Sequence, residues 1–387
     1  MLKIKLNRNL RKAIKQGHPW IYRNAINEPE GVTECQICKI VDQKNTVLAW
    51  GYYDPHSVLA VRVLSTASKP PNIDYYKNKI QGCIELRRNY FNLENTNAFR
   101  LLNGEGDGLP GLVCDIYAGI AVLQTDGKGP SEFWPLDMVA EVILSSGLIT
   151  SVYHKARGKD EKSLGTWGDG LPTDGIVQIK ENNVNFNVDI MTGQKTGFFL
   201  DQRDNRNYLK KWCQGKSVVN LFSYTGGFSV YAGLGGAADV TSVDISPKAI
   251  ELSNSNWDAN NMSTPHDGVC ADVFKFIESP TKTFDIVMVD PPSMAHSEKQ
   301  KEVAIRKYTE LFASSTDLLN KGGHLFLSSC SSHINFDDFY GIACDALSKA
   351  RLTGKVLRFS SQGIDHPYLH ICPEQRYLKF IHIKTQK

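Results

Sequence analysis

Nowhere in this sequence does an apolar run approach the roughly 18 residues that a membrane-spanning helix needs, so no transmembrane segment is expected. The N-terminus has neither the apolar stretch nor the small-residue cleavage site of an export signal, and a cytoplasmic location is the expectation. The nine cysteines have no regular spacing, which argues for reduced thiols and against a disulfide framework. Cys35 and Cys38 form a lone CxxC. A structural zinc site needs four ligands and no second pair lies near in sequence, so no metal is expected. Two nucleotide signatures are also missing. There is no G-x-G-x-x-G dinucleotide fingerprint and no G-x-x-x-x-G-K-[ST] phosphate loop. Internal repeats and low-complexity tracts are absent.

What is present is the composition of a globular protein. The chain has 387 residues, 41% hydrophobic and 22% charged, too long for a single ordinary core. The net charge of +3 is small, but its distribution is uneven. Lys3, Lys5, Arg8, Arg11, Lys12, Lys15 and Arg23 all precede the first acid, Glu28. Such a segment suits a polyanion like RNA, with a solvated helix face as the plain alternative. It runs into HPWIYRNAI, whose apolar and aromatic residues indicate folded structure and not a transit peptide.

The pattern along the chain divides it in three. Residues 1–72 mix strand-like runs (CKIVD, TVLAWGYYDP, VLAVRVL) with turns, which reads as a small β-rich domain. Residues 73–185 begin with a helical period in YYKNKIQGCIELRRNYF. A hairpin then forms about the Gly- and Asp-rich turn of RLLNGEGDGLPGLVCDIY, and the region as a whole reads as α+β. From residue 186 strand-like and helical patterns alternate (SVVNLF, VTSVDI, DIVMVD and HLFLSS, each followed by a helix), and RYLKFIHI ends the series. That alternation predicts an α/β class, with a parallel sheet covered by helices.

In such sheets ligands bind at the carboxyl ends of the strands, where strand order reverses. The first strand runs into NLFSYTGGFS, where Gly226 and Gly227 permit close approach to backbone. Asp244 ends the second strand and is placed to accept from ribose hydroxyls. Asp272 follows the next strand-like piece and could accept from an adenine amino group. Asp290 ends DIVMVD, and Pro291 and Pro292 stiffen the turn after it. Each acid alone is as readily a helix cap; three in phase with three strand ends point to a ligand with adenosine and a cationic amino-acid head. Cys330 ends HLFLSS. If the fourth and fifth strands are neighbours, their tips lie about 5 Å apart and Cys330 faces Asp290. A thiolate adding to carbon 6 of a pyrimidine makes carbon 5 nucleophilic enough to take a methyl group. Asp290 could hold the exocyclic amine and ring nitrogen of a cytosine there. The remaining eight cysteines are read as small buried apolar groups.

These residues resemble a family. GHPWIYRNAI (17–26) and GYYDPHSVLAVRVL (51–64) resemble the PUA domain, an RNA-binding module, of the bacterial 23S ribosomal RNA cytosine-5 methyltransferases of the large-subunit methyltransferase I type. RLLNGEGDGLPGLVCD (100–115) resembles their middle domain. KTGFFLDQRDNR (195–206), NLFSYTGGFSVYAGLGGA (220–237), DPPS (290–293) and SSCSSH (328–333) resemble their catalytic domain. The similarity covers nearly the whole chain, and similar proteins occur in archaea. It implies a PUA domain, a small α+β domain and a class I (Rossmann-like) methyltransferase domain. S-adenosylmethionine would be held about Asn220, Phe222, Ser223, Gly226, Asp244, Asp272, Asp290 and Pro291. It implies Cys330 as nucleophile with Asp290 beside it, RNA contacts at Arg11 and Trp20, and Gln202 and Arg203 at the same pocket or at the RNA entrance, with capping and salt bridging on the helix DQRDNRNYLKKW as their plain alternative. The substrate implied is 23S rRNA or a precursor particle, and dimerisation is implied as well. One departure is Ser293, where the family often has lysine after DPP. Rival readings are a 7-methylguanine or 5-methyluridine rRNA methyltransferase, or a non-catalytic RNA-binding assembly factor.

Overall fold

The strands of the C-terminal half are built by Val and Ile. SVVNL and FDIVMV are apolar along most of their length, and half of DVTSVD is β-branched, as suits strands covered by helices. In the computed structural model, which describes residues 1–157, 165–295 and 297–386, they belong to one seven-stranded sheet. Positions 158–164, within the expected middle domain, lie outside the described residues. The sheet strands are β1 (Ser217–Leu221), β2 (Asp239–Asp244), β3 (His266–Cys270), β4 (Phe284–Val289), β5 (Leu319–Ser329), β6 (Thr353–Ser360) and β7 (Lys379–Gln386). Their spatial order is β3-β2-β1-β4-β5-β7-β6. Order reverses between β1 and β4, which pair in parallel. The fourth and fifth strands are neighbours, with Val289 opposite Leu327.

The expectation of a parallel sheet needs one correction. β1 to β5 are mutually parallel, but β7 runs antiparallel to both β5 and β6. β6 was not singled out from sequence. It is an edge strand exposed along most of its length, so it lacks a continuous apolar signal.

Helix starts are encoded locally. Ser246 accepts from the backbone N–H of Ala249 with Pro247 at the first helical position. Asn335 and Asp338 form a reciprocal capping box at Phe336–Lys349. Helices Lys301–Ser315 and Phe336–Lys349 bring Tyr308, Phe312 and Phe339 into a core shared with Val287, Leu325 and Ile381 of the sheet. Each fully buried side chain of this size contributes about 1.5–3 kcal/mol.

The chain divides into two compact units, and this sheet lies in the second, made of Val184–Asn187, Asp201–Gly363 and Arg376–Lys387. The first comprises Met1–Asn183, Val188–Leu200 and Ile364–Gln375. It holds a six-stranded sheet formed from segments between Leu2 and Ser65, and a five-stranded sheet between Ala98 and Gly168. Each sheet has its own apolar core. The expected helix is Ile73–Tyr90, capped by Asn72. The expected hairpin pairs Ala98–Asn103 with Leu112–Tyr117 antiparallel. Within this unit the returning segment 364–375 is held by polar contacts. Asp365 accepts from the Arg100 backbone N–H at 2.9 Å, and Pro367 O accepts from the Asn103 amide at 2.8 Å.

Candidate active site

The loop leaving β1 adopts an unusual backbone. Phe222, Tyr224 and Gly226 have φ of 58°, 47° and 77°, so three of five successive residues are left-handed. Asp244, at the end of neighbouring β2, holds this shape. One carboxylate oxygen accepts from the Tyr224 backbone N–H at 2.8 Å and the other from Ser246 N–H at 2.9 Å. A carboxylate has about four acceptor sites, so capacity remains for hydroxyl donors. At Gly226 a Cβ would stand 2.2 Å from Ser253 Oγ, so the loop tolerates no side chain there. Asn220 is buried and donates to Ser229 Oγ at 2.9 Å, and the chain continues through Ser242 to His266. Its role in the fold is to support the loop from beneath.

Two observations fit this loop to an adenosine-bearing ligand. Ser223 Oγ is buried and has no hydrogen-bond partner among the described residues, although buried hydroxyls are ordinarily paired. The positive-φ turn presents backbone at close range where strand order reverses.

Asp272 acts as a helix cap here. Its Oδ1 accepts from Phe274 and Lys275 backbone N–H groups, which leaves Oδ2 for a ligand. Pro291, beyond Asp290, is buried, and Phe222 packs its ring edge-on to Phe274.

Cys330 follows the last residue of β5 and is half-buried. Asp290 likewise follows β4 and is half-buried. Three devices tie the loops bearing them. Gln202, itself buried, donates from one amide nitrogen to Asp290 Oδ2 and to Ser328 Oγ, both at 2.9 Å. Ser331 Oγ meets Ser293 Oγ at 2.9 Å and Tyr308 Oη at 2.8 Å, and accepts from Met294 N–H at 3.1 Å. Lys379 Nζ donates to Ser331 O at 2.6 Å. Ser293, where the resembling family often has lysine, thus serves as a hydroxyl link between the two loops.

The residues expected at RNA lie in different settings. Gln202 and Arg203 are both buried, 2% exposed, in the second unit. In the first unit Arg11 is paired with Asp42, and Trp20 Nε1 donates to Glu105 at 3.0 Å. Arg23 is engaged by Glu28, Tyr53 and backbone carbonyls. Lys3, Arg8, Lys12 and Lys15 remain exposed.

None of the nine cysteines forms a disulfide. Burial pushes the Cys35 thiol up to about 12, and Cys38 is fully buried and pushed up further. Among the described residues one trio, His18, Cys372 and Glu374 of the first unit, brings possible metal-ligand atoms within 4.8 Å of one another. There His18 Nδ1 already faces the Trp20 backbone, and burial pushes the Cys372 thiol up to about 12. No helix among the described residues is long and apolar enough to cross a membrane.

Sequence reasoning did not single out Ser331, Tyr308 or Lys379. For Lys379 a signal existed, because a lone cation within the apolar strand LKFIHI is rarely buried without a task.

Comparison with known proteins bears on the same regions. Residues 4–66 match a family model of the PUA-like domain, and residues 141–346 match the S-adenosylmethionine-dependent methyltransferase model. A ribosomal RNA large subunit methyltransferase of Deinococcus radiodurans is 32% identical over 99% of this chain and 97% of its own. Ribosomal RNA large subunit methyltransferase I of Photobacterium profundum is 34% identical over 95% of each. Among solved structures, a SAM-dependent methyltransferase from Streptococcus mutans superposes with a TM-score of 0.87 at 26% identity, covering 99% of this chain and all of its own. A methyltransferase solved in complex with SAH gives a TM-score of 0.88, with the same identity and coverage. Sheet order, cofactor loop and sequence agree, and the chain belongs to the S-adenosylmethionine-dependent methyltransferases, in the group of ribosomal RNA large subunit methyltransferase I, with a PUA-like domain ahead of the catalytic one.

Proposed function

We propose that this protein methylates carbon 5 of a cytosine in large-subunit ribosomal RNA, with Cys330 as nucleophile. The observation that carries the reading is the placement of Cys330 and Asp290 at the tips of adjacent parallel strands, their loops joined through Gln202 and Ser331. The Phe222–Gly226 loop with Asp244 and Asp272 would hold S-adenosylmethionine, which when bound would supply an electrophilic methyl sulfonium. Cys330 Sγ adds to carbon 6 of the cytosine, which raises electron density at carbon 5. The Asp290 carboxylate accepts from the exocyclic amine and fixes the ring. Carbon 5 takes the methyl group and the sulfonium leaves as the neutral thioether; the carbon 5 proton then passes to water, the electrons of that carbon–hydrogen bond form the carbon 5–carbon 6 double bond, and the carbon–sulfur pair leaves with Sγ as thiolate. The target base must leave its stack to reach the strand tips. The exposed Lys3, Arg8, Lys12 and Lys15 of the PUA-like region supply phosphate contacts that position RNA without reading its sequence.

The test is transfer of labelled methyl groups to ribosomal RNA lacking its own modification, followed by nucleoside mass spectrometry. 5-Methylcytidine is expected, and 5-methyluridine or 7-methylguanosine would replace this reading. Cys330→Ala should abolish product. Full activity in that variant favours guanine N7, which is nucleophilic without a thiol. A cytoplasmic setting and a homodimer are part of the same proposal, the latter checked by sedimentation.

A further inference from the structure

Lys379 is the one lysine of the sheet that is fully buried among the described residues, at 0% exposure. It opens β7 opposite Ser329, the last residue of β5, so its side chain arises beside the turn that carries Cys330. Its Nζ donates to Ser331 O at 2.6 Å and Tyr377 O at 2.7 Å. No salt bridge to a carboxylate is formed by it among the described residues. The two carbonyls take two of an ammonium's three N–H bonds. A buried ammonium without a paired anion costs several kcal/mol, so its retention calls for a compensating charge.

The charged and titratable groups around it can be named. Tyr308, from the helix Lys301–Ser315, reaches Ser331 Oγ. Asp338 is engaged by Lys301 at 2.7 Å. Asp290, from β4, is tied through Gln202. Cys330 sits on the turn whose carbonyl Lys379 holds. Burial lowers the Lys379 ammonium to about 7, and negative charge at Cys330, then at Asp338, raises it.

We propose that Lys379 is a positioning residue for Cys330, its ammonium being the counter-charge that sustains the thiolate while its hydrogen bond to Ser331 O fixes the turn. The pair holds S⁻ and NH₃⁺ before cofactor or RNA arrives, and its titration belongs to the two groups together. This rests on the reading of Cys330 as nucleophile, but it is tested without methyl transfer.

Full-length protein is alkylated with iodoacetamide from pH 5 to 10, and each cysteine peptide is quantified by mass spectrometry. The exposed Cys270 and Cys344 serve as internal references in the same digest. Cys330 should reach half-maximal rate at least one pH unit below both. In Lys379→Met that midpoint should rise to theirs or above, with at least a tenfold slower rate at pH 7. Lys379→Arg, which keeps the charge, should retain the low midpoint. A purely structural role would change the rate at every pH and leave the midpoint in place. An unshifted midpoint in folded Lys379→Met overturns the proposal. Should that variant fail to fold, a wild-type midpoint at or above the references overturns it equally. Loss of methyl transfer in Cys330→Ala with an unmoved Lys379→Met profile refutes this inference alone. Full activity in Cys330→Ala refutes the nucleophile reading instead.

Discussion

Gln202 donates to Asp290 at 2.9 Å from a side chain that is itself 2% exposed, and the same nitrogen reaches Ser328. Its carbonyl oxygen accepts from Asn205 at 2.7 Å, which fixes which end of the amide faces the acid. Gln202→Leu would keep the volume, leave Asp290 and Ser328 without this donor, and leave Asn205 without its acceptor. Ser328 and Asn205 are fully buried, and each group so deprived costs about 1–3 kcal/mol. The variant should lose at least tenfold in methyl-transfer rate and measurable stability in urea unfolding. A wild-type rate would show that Asp290 needs no orientation by this amide.

Cofactor binding should depend on two residues in a way that separates shape from charge. Gly226→Val places a branched side chain at φ 77° and against Ser253, so it should abolish binding of S-adenosylmethionine in calorimetry. Asp244→Asn keeps the size, but a single amide oxygen cannot serve both Tyr224 and Ser246 backbone donors. It should weaken binding at least tenfold. If Asp244→Asn bound as the wild type does, cofactor binding would need neither the brace nor the carboxylate.

The sequence pattern placed the strand ends well because they are local facts: runs rich in β-branched or apolar residues stop at Asp244, Asp290 and Cys330. That β4 and β5 are neighbours is a condition the sequence leaves open, and the sheet meets it. What stayed hidden was long-range. The polar helix start DQRDNR does not show by itself that Gln202 is buried and donates to Asp290 and Ser328. Ser331 and Tyr308 are ordinary residue types whose meaning comes only from meeting each other. The return of residues 364–375 to the first unit depends on Arg100, Asn103 and Asp365, some 260 positions apart, and no periodicity records such a pairing.

Acid should destabilise the catalytic unit before its carboxylates titrate. His324 Nδ1 and His382 Nε2 lie 2.9 Å apart, Tyr208 Oη meets His382 Nδ1 at 3.0 Å, and Phe326 stacks on His382. Burial lowers His324 to about 4, with the charges of Lys384 and Lys216 adding to the effect, and lowers His382 to about 3, with the charges of His324 and Lys384 adding. The unfolded chain takes up these protons near 6.5 and the folded one far lower, so stability falls as pH drops through 6.5 toward 4. Above 6.5 these groups contribute no pH dependence. At pH 5 the loss is roughly 2 kcal/mol for one such imidazole. The urea midpoint should therefore drop from pH 7 to pH 5, and His382→Phe, though less stable at pH 7, should show a shallower slope. An equal slope in the variant would place the acid sensitivity elsewhere.

The first unit has its own sensitive point at Arg87. This side chain is fully buried and forks onto both oxygens of Asp107 at 2.9 and 2.7 Å, while donating to the carbonyls of Arg100 and Asp365. A planar guanidinium fits that set of acceptors, and an ammonium does not. Arg87→Lys should keep the charge, lose the fork and cost about 1–3 kcal/mol. Arg87→Met strands the Asp107 carboxylate in a buried setting and should cost about 3–5 kcal/mol. Because Arg87 also holds the Asp365 carbonyl, limited proteolysis should cut within 364–375 faster in Arg87→Met than in the wild type. Both variants are read by urea unfolding alongside that cleavage rate. If Arg87→Met unfolded at the wild-type midpoint, the ion pair would be replaceable by apolar packing, and the cleavage rate should then be unchanged as well.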